Sequence, residues 1–153
     1  MKKIIVILLA LTLLLSLCSC GKTPAIADLM DYPLGAGSLD ECEKFVKSCG
    51  YKVESKSEQG IMFTDGTWSG YASLGSVSLD FYSFQNADAD FDATADAVRA
   101  ELKSLCGEPY AGDFNNMFNQ TSEWYTTGDK VIYFSIYHGM ENMSVTIMPA
   151  PKD

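Results

Sequence analysis

Histidine is nearly missing from this 153-residue chain, which has His138 and no other. A catalytic triad built on imidazole would have a single base to draw on, and no group of histidines and cysteines stands at zinc-ligand spacing. The Gly-x-Ser-x-Gly elbow is absent, since Gly66-Thr67-Trp68-Ser69-Gly70 places its serine one position late. A glycine-rich phosphate loop is also lacking. No metal and no cofactor is therefore expected. Positive charge is scarce: eleven Lys and Arg face twenty Asp and Glu, for a net charge of −9. A chain this acidic repels phosphates, which argues against nucleic acid as a partner. Long apolar runs are limited to one, Ile4 to Leu17, at fourteen residues.

That run is preceded by Lys2 and Lys3 and followed by Leu17-Cys18-Ser19-Cys20-Gly21-Lys22. As a helix it would extend about 21 Å, short of a hydrocarbon core of about 30 Å. A basic start, a short apolar stretch and a small residue before the cut are the marks of a secretory signal peptide. Leu17, Ser19 and Cys20 together resemble the lipobox of bacterial lipoproteins, with Cys18 standing where Ala, Ser or Thr is more usual. The resemblance implies cleavage after residue 19 and a diacylglyceryl group on the Cys20 sulfur, and places the chain outside the cytoplasm, held to the bacterial cell membrane by lipid. Two acyl chains suffice for stable anchoring. Processing would remove 19 of the 153 residues, leaving 134, and would take Lys2 and Lys3 from the eleven basic residues, leaving nine against twenty acidic. That length suits one domain. The expected organisation is residues 1–19 as signal peptide, 20–34 as lipidated N-terminus and tether, and 35–153 as a single domain.

The chain carries Cys42, Cys49 and Cys106 besides Cys18 and Cys20. Cys42 and Cys49 lie about 10 Å apart on one expected helix, too far for a bridge. Cys49 and Cys106 end different helices, where a disulfide or two small buried hydrophobes are both open readings. A thiolate nucleophile is favoured at helix N-termini, and neither position offers one.

Ser38-Leu39-Asp40-Glu41 has the form of a capping box. The helix after it carries Leu39, Cys42, Phe45, Val46 and Cys49 on one side and stops at Gly50. Strand character follows at Tyr51–Ser57, Ile61–Thr64, Trp68–Leu74 and Val77–Phe84, where Val77, Leu79 and Phe81 alternate with Ser78, Asp80 and Tyr82. A second helix is expected from about Asp90 to Leu105, ended by Gly107 and Pro109. Residues 108–121 read as a long loop, and strands close the chain at Ser122–Thr126, Lys130–His138 and Asn142–Met148. The expected fold class is α+β, with two helices packed on an antiparallel sheet and a helix-then-strands unit that a duplication would explain. This element order over residues 35–149, with Cys-Gly-Tyr after the first helix and Gly-Glu-Pro after the second, resembles the outer-membrane assembly lipoproteins and the β-lactamase inhibitory proteins. The resemblance implies a non-catalytic, protein-binding role and carries over no site residues.

Asp88-Ala89-Asp90-Phe91-Asp92 begins like a calcium loop, but Ala93 stands at the sixth position and Arg99 at the twelfth, so the pattern fails. Acidic residues there suit a helix start. What remains is surface. In the strand from Lys130, Ile132, Phe134 and Ile136 share one face while Val131, Tyr133, Ser135 and Tyr137 share the other. With Tyr82, this makes a tyrosine-bearing sheet face, and tyrosine concentrates at binding hot spots. The 108–121 segment, with Phe114 and Phe118, is the second candidate surface. The expectation is a membrane-anchored envelope lipoprotein whose domain binds a protein or another envelope component, with Tyr82, Tyr133, Tyr137, Phe114 and Phe118 as contact residues. The alternative is a small envelope hydrolase using His138.

Overall fold

Period-two alternation, broken by Gly, Asp and Asn at the turns, builds most of this molecule. The computed structural model describes residues 26–151; the expected signal peptide and Cys20 lie outside them. A short helix, α1 (Ile26–Leu29), precedes α2 (Leu39–Ser48) and four strands, β1 (Lys52–Lys56), β2 (Ile61–Thr64), β3 (Ser69–Ala72) and β4 (Val77–Tyr82). A 3-10 turn at Ser83–Gln85 leads to α3 (Phe91–Cys106), followed by β5 (Ala111–Asn115), β6 (Gln120–Thr127), β7 (Lys130–Tyr137) and β8 (Asn142–Pro149). The strands form one sheet in the order β1-β2-β3-β4-β8-β7-β6-β5, antiparallel throughout. The described residues are thus α+β, with an eight-stranded antiparallel sheet and three α-helices. Each longer helix precedes a four-stranded meander, and the meanders join where β4 pairs with β8.

One core lies between the helices and one sheet face. Val77, Leu79 and Phe81 of β4, Met143, Val145 and Ile147 of β8, and Ile132, Phe134 and Ile136 of β7 are each at most 2 % exposed. Cys42 and Val46 of α2 and Ala95, Val98 and Leu102 of α3 close over them. Trp68, fully buried, packs against Phe81 with ring centroids 5.1 Å apart. On the helix side Arg99 ties α3 to β6, its Nε donating to Glu123 Oε1 at 2.7 Å beneath the Phe134 ring.

Several details differ from the sequence expectations. The expected tether spans 20–34, but Ile26, Leu29 and Tyr32 are at most 2 % exposed, so the packed body already includes Ile26. Apolar residues this close to prolines show no period, and only the tertiary fold reveals their burial. Residues 108–121 are not a long loop: they hold β5 and the first two residues of β6, because β6 supplies a full antiparallel partner from Gln120↔Asn115 to Trp124↔Ala111. Ser38 takes the N-cap position in extended backbone, yet its side chain makes no cap hydrogen bond. At α3 the cap is made, with Asp90 accepting from the Ala93 amide at 3.0 Å. Cys42, Cys49 and Cys106 are free thiols, and burial pushes the Cys49 and Cys106 thiols up. Among the described residues no helix is long and apolar enough to cross a membrane.

Candidate functional site

Among the described residues, no other element lies on the sheet face turned away from the helices. Its side chains follow from strict alternation and continuous register, which set residues of neighbouring strands side by side in rows. The central row is short and polar: Thr64, Ser69, Asp80, Ser144, Ser135 and Ser122 stand next to one another on β2, β3, β4, β8, β7 and β6. Lys52 on β1 ends it at one edge and Asp113 on β5 at the other. One flanking row carries Tyr71, Tyr133 and Trp124, and the other carries Tyr82, Asn142, Tyr137 and Gln120. Small hydroxyl side chains thus lie between two rows of larger ones. Ser135 is only 2 % exposed although it stands on the face opposite to core-facing Phe134 and Ile136, with Tyr133 and Tyr137 two residues away on its own face of β7.

The aromatic rows are held in place. Trp124 and Tyr133 are direct cross-strand partners with ring centroids 4.3 Å apart and planes 36° from parallel. The Tyr133 hydroxyl accepts from Gln120 Nε2 at 2.9 Å and shares a hydrogen bond with Ser122 Oγ at 2.9 Å. The two bonds hold the hydroxyl end of the ring and Trp124 holds its face, so little side-chain freedom is left to lose on contact with a partner. Asp80 is half-buried in the central row; burial raises its carboxyl above the ordinary value, against a hydrogen bond from Ser144 that lowers it. Burial, with a smaller contribution from the Asp80 charge, pushes the Tyr82 phenol up.

Of the contact residues expected from sequence, Tyr82, Tyr133 and Tyr137 meet on this face. Phe114 and Phe118 do not. Phe114 sits opposite Thr121, in line with Ile136, and so points to the helix side at an edge that the helices leave uncovered; it is 51 % exposed. Phe118 lies in the β5–β6 turn at 59 % exposure, at the same end of the sheet as Met117, Met140 and Phe84. His138 is exposed at that end too, its Nε2 2.8 Å from Thr121 Oγ1. Sequence reasoning passed over Tyr71, Trp124 and Asp80. The signal existed in part: in Trp124-Tyr125 one aromatic must face the core and the other must not, and only the pairing with β7 decides which. Among the described residues no group of three or more His, Cys, Asp or Glu is placed to hold a metal ion.

Comparison with known proteins gives no relative: no family model, no curated protein and no solved structure matches this chain.

Proposed function

We propose that this chain is a membrane-anchored bacterial envelope lipoprotein whose domain is a non-catalytic protein-binding module acting through the open sheet face. The observation that carries the reading is the preorganised aromatic and hydroxyl surface of β3, β4 and β6–β8, which no part of the described chain covers. Ordered tyrosine and tryptophan beside small hydroxyls supply contact area at low entropic cost. The helix-then-meander order, repeated along the chain, supports a duplicated unit whose two copies share one continuous surface. Lipidation at Cys20 rests on the lipobox pattern alone.

The hydrolase alternative needs an acid to orient His138. The hydrogen bond recorded for that ring runs to the Thr121 hydroxyl, which favours the binding reading. The test is capture from solubilised envelope with the chain from Cys20 onward, beside a Tyr133→Ala/Tyr137→Ala variant of matched stability and a His138→Ala variant. A partner kept by the parent and by His138→Ala but lost by the tyrosine variant is the expected result; equal capture by all three would refute the assignment of the face. In cells, Cys20→Ser is expected to abolish incorporation of labelled fatty acid into the protein.

A further inference from the structure

Among the described residues, the open face contains a carboxylate with no cation. Asp80 lies near the middle of the sheet, and its recorded partner is the Ser144 hydroxyl across the β4–β8 seam. Among the described residues no ion pair involves it. The basic residues among those described lie away from it. Lys44 and Lys47 lie on α2, and Arg99 and Lys103 on α3. Lys56 turns to Asp40 and Glu43 on α2, and Lys130 to the Met30 carbonyl on the helix side. Lys52 shares the face, but three strands away at the β1 edge, about 14 Å at the usual strand spacing.

Half-burying an ionised carboxylate without a counter-charge opposes folding. An asparagine would keep the hydrogen bond to Ser144 without that penalty, and a serine would continue the hydroxyl row. A destabilising charge kept on a binding surface is the pattern in which a site trades stability for recognition. The surroundings specify the guest. Tyr82 stands two residues along the same face of β4, and the rows holding Tyr71, Tyr133 and Tyr137 run on either side. A cation resting on Asp80 would therefore meet aromatic faces as well as the carboxylate. The chain's own net charge of −9 disfavours a second copy as the occupant.

We propose, resting on the binding reading above, that the open face receives a basic segment of a partner protein and that a Lys or Arg side chain of that segment docks on Asp80 between the tyrosine rows. The carboxylate supplies the charge-assisted hydrogen bond, the small hydroxyls leave room for the side chain to reach it, and the tyrosines select a long cationic side chain over a small ion.

The test is an NMR titration of the chain from Cys20 onward, with Cys20→Ser, against three blocked pentapeptides, Ala-Ala-Xaa-Ala-Ala with Xaa as Arg, Lys or citrulline. Saturable shifts centred on Asp80, Tyr82 and Ser144 are expected for Arg and Lys and not for citrulline. Asp80→Asn is expected to weaken peptide binding about tenfold or more, the worth of one charge-assisted hydrogen bond. Asp92→Asn, which removes the same charge from the exposed start of α3, is expected to leave it unchanged. Shifts spread over the acidic surface and indifferent to Asp80→Asn would overturn the proposal, as would no shifts at all or a response to calcium chloride at the same site in place of the peptides. If the envelope partner still depends on Tyr133 and Tyr137 while Asp80 proves silent, the binding face stands and the cation assignment fails; if the partner ignores the tyrosines, the binding reading itself fails.

Discussion

The contact between Trp124 and Tyr133 offers the sharpest check on whether the open face is rigid. Tyr133→Ala removes a half-buried ring, its stacking on Trp124 and both hydrogen bonds to its hydroxyl. A fully buried aromatic truncated to alanine typically loses about 3–5 kcal/mol, so a half-buried one should lose about 2–3 kcal/mol. Tyr133→Phe keeps the ring and should lose about 1 kcal/mol, the net worth of the hydrogen bonding. Trp124→Ala should fall near Tyr133→Ala. The decisive quantity is the coupling in the double-mutant cycle of the two alanine variants. An offset aromatic pair at 4.3 Å predicts about 0.5–1.5 kcal/mol beyond the additive sum. Urea denaturation read by far-ultraviolet circular dichroism gives all four corners, and the fluorescence of buried Trp68 reports whether the core survives in each. A coupling below about 0.3 kcal/mol, the usual scatter for independent sites, would mean the rings do not hold each other and would refute a preorganised platform.

Three other expectations follow from the same geometry. Because burial raises the Asp80 carboxyl above its ordinary 3.8, the folded state binds that proton more tightly than the unfolded chain; the resulting stability is full below the unfolded value and is lost as pH rises through the folded one. Asp80→Asn should therefore be more stable than the parent at neutral pH, with the advantage vanishing in acid, as thermal midpoints at the two pH values would show. Arg99→Ala leaves Glu123, with 14 % of its side chain exposed, bonded to the Tyr125 hydroxyl alone, and should destabilise by about 2–3 kcal/mol in urea, below the 3–5 of a fully buried pair. Gly70→Ala would drive a methyl into the Phe63 ring and to 2.8 Å from the Ser78 carbonyl, so a loss of about 1–3 kcal/mol or more is expected by the same measurement.

Local patterning made the core-facing half of the fold legible. β2 runs over the residues expected, and the alternations in β4 and β7 assign Leu79, Phe81, Ile132 and Phe134 to the core as found. The α3 boundaries came within a residue, because Asp90, Gly107 and Pro109 are strong punctuation. What could not be read was whatever depends on long-range register. β5 is five exposed residues of which one, Phe114, is large and apolar, so nothing local marks it as a strand; pairing with β6 creates it. The same limit applied to the open face. Tyr133 and Tyr137 were visible as one side of a strand, but Tyr71, Trp124 and Asp80 come beside them only through the junction of β4 with β8.

That junction has a consequence for how the molecule is made. The first meander presents β4 as a bare edge, and its partner is made only after α3 and β5–β7 have followed it along the chain. Until Asn142–Pro149 arrives, the chain holds two incomplete sheets with unpaired amides along β4 and β7, the kind of edge that recruits other chains. Closing such distant contacts is slow compared with forming either hairpin series. Strand β8 is therefore the clasp of the whole sheet. A chain clipped before it would lack the Asp80–Ser144 pair, the continuous aromatic rows and the protection from aggregation in one stroke, so this surface exists only once both meanders have met.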